Sequence, residues 1–152
     1  MYANIEPNVP PTLLCSLYGV CAGQFSTYAT LKLQTVKSTT VTVKGNTPQW
    51  EQDFMFETNR MDTGLVVEVW NKGLLWDKLL GTQWLPLLNI QYSTECGEGE
   101  WLSLDAELLV DNGKIVGTRV PTGHSILLEA HFELPYGRPA SPLESLCDVL
   151  KP

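Results

Sequence analysis

Long apolar runs are missing from this chain: no stretch approaches the roughly 20 residues that cross a bilayer as a helix. Histidine is scarce, with only His124 and His131. No Gly-x-Ser-x-Gly elbow, phosphate loop or His-Glu-x-x-His segment occurs, so no known pattern for nucleophilic, phosphoryl or hydrolytic metal chemistry is present. An enzyme is not expected, and neither is a cofactor. Basic residues are few: 10 Lys plus Arg stand against 17 Asp plus Glu, for a net charge of −7, and there is no Lys/Arg run. An acidic chain has no general attraction for polyanions. Nucleic acid is therefore not an expected partner, and phospholipid binding is expected to be weak or absent. The four cysteines, Cys15, Cys21, Cys96 and Cys147, form no Cys-x-x-Cys pair, which signals no zinc site. The opening MYANIEPNVPPTLLC lacks a basic region followed by a long apolar core. Free thiols in a reducing cytosol are the expectation.

What is present is a domain-sized chain of 152 residues, 43% hydrophobic, long enough to bury a core. Residues 1–11, polar and with three prolines, read as a flexible leader. One domain is expected over 12–135. A loosely ordered tail follows over 136–152, with one turn of helix near 141–150.

Between those ends the pattern has period two. In residues 64–82, GLVVEVWNKGLLWDKLLGT, Leu65, Val67 and Val69 alternate with Val66, Glu68 and Trp70, which suits a strand with one buried face. A break at Asn71, Lys72 and Gly73 precedes a second strand starting at Leu79. Upstream, NTPQWEQDFMF begins with an Asn-Thr-Pro turn and then spaces Trp50, Phe54 and Phe56 evenly. A first strand is expected at 13–17, then a loop at 18–26. The next strand, 28–34, should point Ala29, Leu31 and Leu33 inward and Tyr28, Thr30, Lys32 and Gln34 outward. A Thr- and Val-rich strand follows at 38–44, where β-branching fits the pleat. Pro86 suits an edge or bulge. Glu98 and Glu100, in a Gly-rich turn, read as solvated. Asp111-Asn112-Gly113 predicts a small hairpin inside the long connection 105–125. The last strand, 126–132, should bury Ile126, Leu128, Ala130 and Phe132 and leave His131 exposed beside Glu129 and Glu133.

These segments resemble a C2 domain, and more closely the amino-terminal C2 domain of the Unc/Munc family of presynaptic vesicle-priming proteins. The likeness is carried by VKSTTVTVKGNTPQWEQDFMFETNR, GLVVEVWNKGLLWDKLLGT, GEGEWLSLDAE and ILLEAHFELP, and spans residues 13–135. It implies an all-β fold, an eight-stranded antiparallel C2-type β-sandwich. It stops before residue 13 and after residue 135, as alternative exon use or a truncated product would produce. Calcium-binding relatives place about five aspartates on two loops. Here the first loop, YGVCAGQFS, has no carboxylate; in the second, Asn71 and Gly73 stand at two of the expected positions. Only Asp77 remains, beside Lys78. Calcium takes 6–8 oxygen ligands, so no metal is expected.

The resemblance implies a calcium-independent protein-interaction module, cytoplasmic and peripheral at the presynaptic active zone. Such a domain forms a homodimer through a sheet surface and alternatively binds the zinc-finger domain of RIM, an active-zone scaffold. The family's interface lysine, in Val-Lys-Ser-Thr, maps onto Lys37. Outward Lys32, Gln34, Thr40 and Thr42 complete a candidate protein interface. Leu74, Leu75 and Trp76 have three readings: packing under their loop, a membrane contact, or a contact for a partner.

Overall fold

The computed structural model describes residues 10–21, 25–45 and 47–133. The expected leader, apart from Pro10 and Pro11, and the expected tail lie outside the described residues. The strands are β1 (Thr12–Cys21), β2 (Phe25–Leu33), β3 (Val36–Thr39), β4 (Val43–Gly45), β5 (Gln49–Glu57), β6 (Gly64–Asn71), β7 (Lys78–Pro86), β8 (Tyr92–Ser93), β9 (Glu100–Asp111) and β10 (Lys114–Glu133). Eight of them follow one another in the order β3-β2-β6-β7-β9-β10-β1-β5, while β4 flanks β2 and β8 flanks β10. The eight are antiparallel throughout, and only the two-residue β8 pairs in parallel.

Two four-stranded leaves arise from this order, because β7 and β9 share a single bridge, Thr82 to Asp105. The period-two pattern decides what lies between them. Leu31 and Leu33 of β2, Leu65, Val67 and Val69 of β6, Leu13 and Leu17 of β1, and Ile126, Leu128 and Phe132 of β10 form one buried cluster. Trp50 and Phe56 of β5 join it. Alternate side chains on each strand reach the same interior, as a pleated strand requires.

Several expectations fail at the edges of this pattern. The first strand does not stop at residue 17. It continues to Cys21, paired with Ser125, after a register shift between Leu17 and Gly19. Gly19 is needed at that shift, since a Cβ there would lie 2.9 Å from the Pro48 carbonyl oxygen. Expected strand 38–44 is broken in two. Thr40 is buried, and its Oγ1 accepts from the Ala29 N–H at 2.9 Å and donates to the Val41 carbonyl. A side-chain oxygen thus takes a ladder position that a carbonyl would hold, and the chain leaves the sheet at Val41 and Thr42. The Asp111-Asn112-Gly113 turn is present, with positive φ at Asn112 and Gly113. Its arms are not a separate small hairpin, however. They continue β9 and β10, which cross a shift between Pro121 and Ser125, where Val120 and Gly123 have positive φ.

His131 is buried rather than exposed. It pairs with Glu129, which is also buried, at 2.8 Å between Nδ1 and Oε1. Both stand on the face of β10 turned away from the core, but that face is covered. A Cβ placed on Gly97 would lie 3.7 Å from the Glu129 side chain, and the Gln91 carbonyl accepts from the Phe132 N–H. The expected free thiols are corrected as well: Cys96 is disulfide-bonded, whereas Cys15 is a buried free thiol. Burial, and then the Glu129 carboxylate, push the Cys15 thiol up.

Candidate functional site

One end of the sandwich carries the β6–β7 loop, residues 72–77. Both of its roots are fixed. At the β6 end the Asn71 Oδ1 accepts from the Ser26 N–H at 3.3 Å, and the Lys72 N–H donates to the Ser26 carbonyl at 2.8 Å. At the β7 end Asp77 is held from two sides. Its Oδ1 accepts from the Gly73 N–H at 3.1 Å, and its Oδ2 accepts from the Tyr28 hydroxyl of β2. The turn between these anchors is so tight that a Cβ on Gly73 would lie 2.1 Å from the Trp76 carbonyl oxygen. Only glycine fits there.

The charge states follow from this geometry. The Tyr28 hydroxyl, then the Gly73 N–H, hold the Asp77 carboxyl below its ordinary value, and Lys72 adds to the effect. Burial, and then the hydrogen bond to Asp77, push the Tyr28 phenol up to about 12. Phenol and carboxylate therefore keep to their donor and acceptor forms at neutral pH.

Leu74, Leu75 and Trp76 project from the clamped turn with relative exposures of 105%, 84% and 79%. The reading that they pack beneath their own loop fails. Lys72 and Lys78 flank them and are exposed. The side-chain oxygens of Asn71 and Asp77 are engaged within the protein. No group of three or more His, Cys, Asp or Glu side chains suited to a metal ion is found among the described residues.

The five residues of the expected protein interface do not form one polar face. Lys37 lies opposite Lys32 in the β2–β3 register and is exposed. Lys32 is tied to Glu68 of β6 at 2.6 Å. Thr30, expected outward, is buried and donates to the same Glu68 at 3.0 Å. Gln34 occupies the turn with φ 55 and donates to the Thr58 hydroxyl. Thr42 is exposed outside any strand, and Thr40 is buried. Of the five, Lys37 and Thr42 are the ones exposed without a side-chain hydrogen bond or ion pair among the described residues.

Sequence reasoning does not single out the partners Tyr28 and Glu68. Glu68 does carry a signal, as the one acid inside the apolar run LVVEVW: a carboxylate buried in a central strand needs a donor on its neighbour. Tyr28 carries none, being 49 positions from Asp77.

Comparison with known proteins places this geometry. The C2 domain family model matches residues 14–104, more than half of the chain. Among solved structures, CC2D1B, described in connection with mitotic reformation of the nuclear envelope, is similar at 16% identity and TM-score 0.60, over 86% of this chain and 57% of that one. A calcium-bound structure of two C2 domains of extended synaptotagmin 2 is similar at 13% identity and TM-score 0.62, over 83% of this chain and 46% of that one. A structure described as a C2 domain is similar at 12% identity and TM-score 0.58, over 82% of this chain and 99% of that one. This chain thus spans about half the length of the first two. At these identities the structures establish the fold, and together with the family match they show that the chain belongs to the C2 domain family.

Proposed function

We propose that this C2 domain is a calcium-independent protein-interaction module of a vesicle-priming protein at the presynaptic membrane. It would form a homodimer and exchange it for the RIM zinc-finger domain, thereby controlling vesicle docking, priming and neurotransmitter release. It acts by binding, not catalysis. The observation that carries the reading is Lys37: it lies in the Val-Lys-Ser-Thr segment that matches the Unc/Munc pattern, exposed on a short strand at the sheet's edge. Calcium independence is supported by Asp77, whose two oxygens are already committed to Tyr28 and Gly73.

A lysine set against a partner's carboxylate is sensitive to charge reversal, because the reversed residue leaves two like charges facing each other. Lys37→Glu is expected to weaken the dimer by roughly 30-fold or more. Sedimentation should show a wild-type dimer, a monomeric variant, and loss of the dimer on adding the RIM zinc finger. A wild-type monomer at high micromolar concentration rules the reading out.

A second reading is favoured by the exposure of Leu74, Leu75 and Trp76: the tip docks on a phospholipid bilayer. Each apolar side chain that enters an acyl layer contributes roughly 1.5–3 kcal/mol. Each flanking lysine adds about 1 kcal/mol on an anionic surface, which works locally against the net charge of −7. Serine at all three positions is expected to lower binding to phosphatidylserine-containing vesicles about 100-fold or more. Co-flotation should be the same with calcium and with chelator. Wild type that stays at the bottom of the gradient in both conditions ends this reading.

A further inference from the structure

We propose that Asp77 is a positioning residue that holds the Leu74-Leu75-Trp76 tip in its protruding form, ready for an anionic bilayer. The proposal rests on the bilayer reading above and assigns the chemistry that makes that tip competent.

Apolar side chains on a free loop bury themselves against their own domain, and that area is then lost to a bilayer. Here they do not. One carboxylate closes the loop by joining its beginning, through the Gly73 N–H, to a neighbouring strand, through the Tyr28 hydroxyl. With the β6 root fixed on Ser26, the loop is anchored at both ends, and the three apolar residues between the anchors project from it. A surface ordered before contact does not meet the ordering cost during contact. In a cation-bridged site a metal ion would gather the loop; here the gathering is done by one aspartate, one phenol and one amide.

The electrostatics agree with an anionic target. An aspartate next to such a surface would normally oppose docking, but both Asp77 oxygens are engaged, one by the Tyr28 hydroxyl and one by the Gly73 N–H. Lys72 and Lys78 remain exposed beside the tip. Glu68, the other acid acting on Tyr28, is occupied by Lys32 and Thr30.

The test uses the full chain as wild type, Asp77→Ala, Asp77→Asn, Tyr28→Phe and the triple serine variant of the tip. Phosphatidylcholine vesicles with and without phosphatidylserine are the probe. Flotation is read alongside amide exchange at Gly73, whose N–H donates to Asp77. Asp77→Ala is expected to lower binding to anionic vesicles about tenfold and to speed Gly73 exchange by a similar factor. Asp77→Asn, which keeps one acceptor oxygen, should fall between alanine and wild type, and Tyr28→Phe should move in the same direction as Asp77→Ala. Anionic vesicle binding that disappears in the triple serine variant but is unchanged in Asp77→Ala overturns the proposal and leaves the bilayer reading standing. Wild type that floats with neither kind of vesicle overturns both.

Discussion

Alanine at Phe132 is expected to cost about 3–5 kcal/mol of folding stability, a large part of the roughly 5–15 kcal/mol a domain has in total. The melting temperature should drop by about 10 °C or more. The reason is the number of elements that meet at this ring. Phe132 is fully buried, lies opposite Leu13 of β1, and is opposite Tyr92 of β8 on its other side. Its ring stacks on that of Tyr92, with centroids 5.2 Å apart, and its N–H holds the Gln91 carbonyl at 2.8 Å. Removing the ring leaves a cavity between the closing strand and the connection that crosses it, and close-packed neighbours relax only partly into such a space. Alanine at Tyr92, which is partly exposed, should cost clearly less. Denaturant melts of both variants decide the point. A loss under about 1 kcal/mol for Phe132→Ala would show that the leaves are held elsewhere.

Where one face of a strand is wet and the other dry, the alternation in the sequence tells which residues go inside. Leu65, Val67 and Val69, and likewise Ala29, Leu31 and Leu33, are the inward sets in both pattern and structure. The inference breaks where the second face is dry as well. Thr30, Glu68, Glu129 and His131 stand on outward positions and are nonetheless buried. Period two carries no information about what lies above the outer face. The connection that reaches Glu129 through Gly97 is far from it in sequence. Thr40 fails for a different reason, because hydroxyl capture of the Ala29 amide is indistinguishable in sequence from another β-branched strand residue. The long β9–β10 arm shows its turn, Asn112-Gly113, but the shift between Pro121 and Ser125 that lets the strands run on has no comparable signature. At the tip, the absence of carboxylates other than Asp77 is readable, and so is the apolar trio. The clamp is not, since a hydrogen bond between Tyr28 and Asp77 depends on how β2 and the β6–β7 loop come together.

The same outer-face burial gives the second large effect. Glu129 and His131 have side-chain exposures of 8% and 5%, and Nδ1 lies 2.8 and 3.0 Å from the two carboxylate oxygens. Taking a carboxylate out of water is costly unless a donor meets it there. Removing the imidazole therefore takes from a buried acid the hydrogen-bond partner it has among the described residues. His131→Ala is expected to cost about 3–5 kcal/mol, and Glu129→Ala, which strands the imidazole instead, nearly as much. Replacing both residues together with leucine should cost much less than the two alanine losses summed, because no stranded polar group remains and the apolar pair fills the space. The double alanine variant supplies the cycle: a coupling of about 1–3 kcal/mol is expected between the two positions. Additive losses would mean that the two side chains are buried independently and that the contact between them contributes nothing. In that case the chain around Gly97 would cover the face by packing alone, and the pair would have no part in fixing that connection over β10.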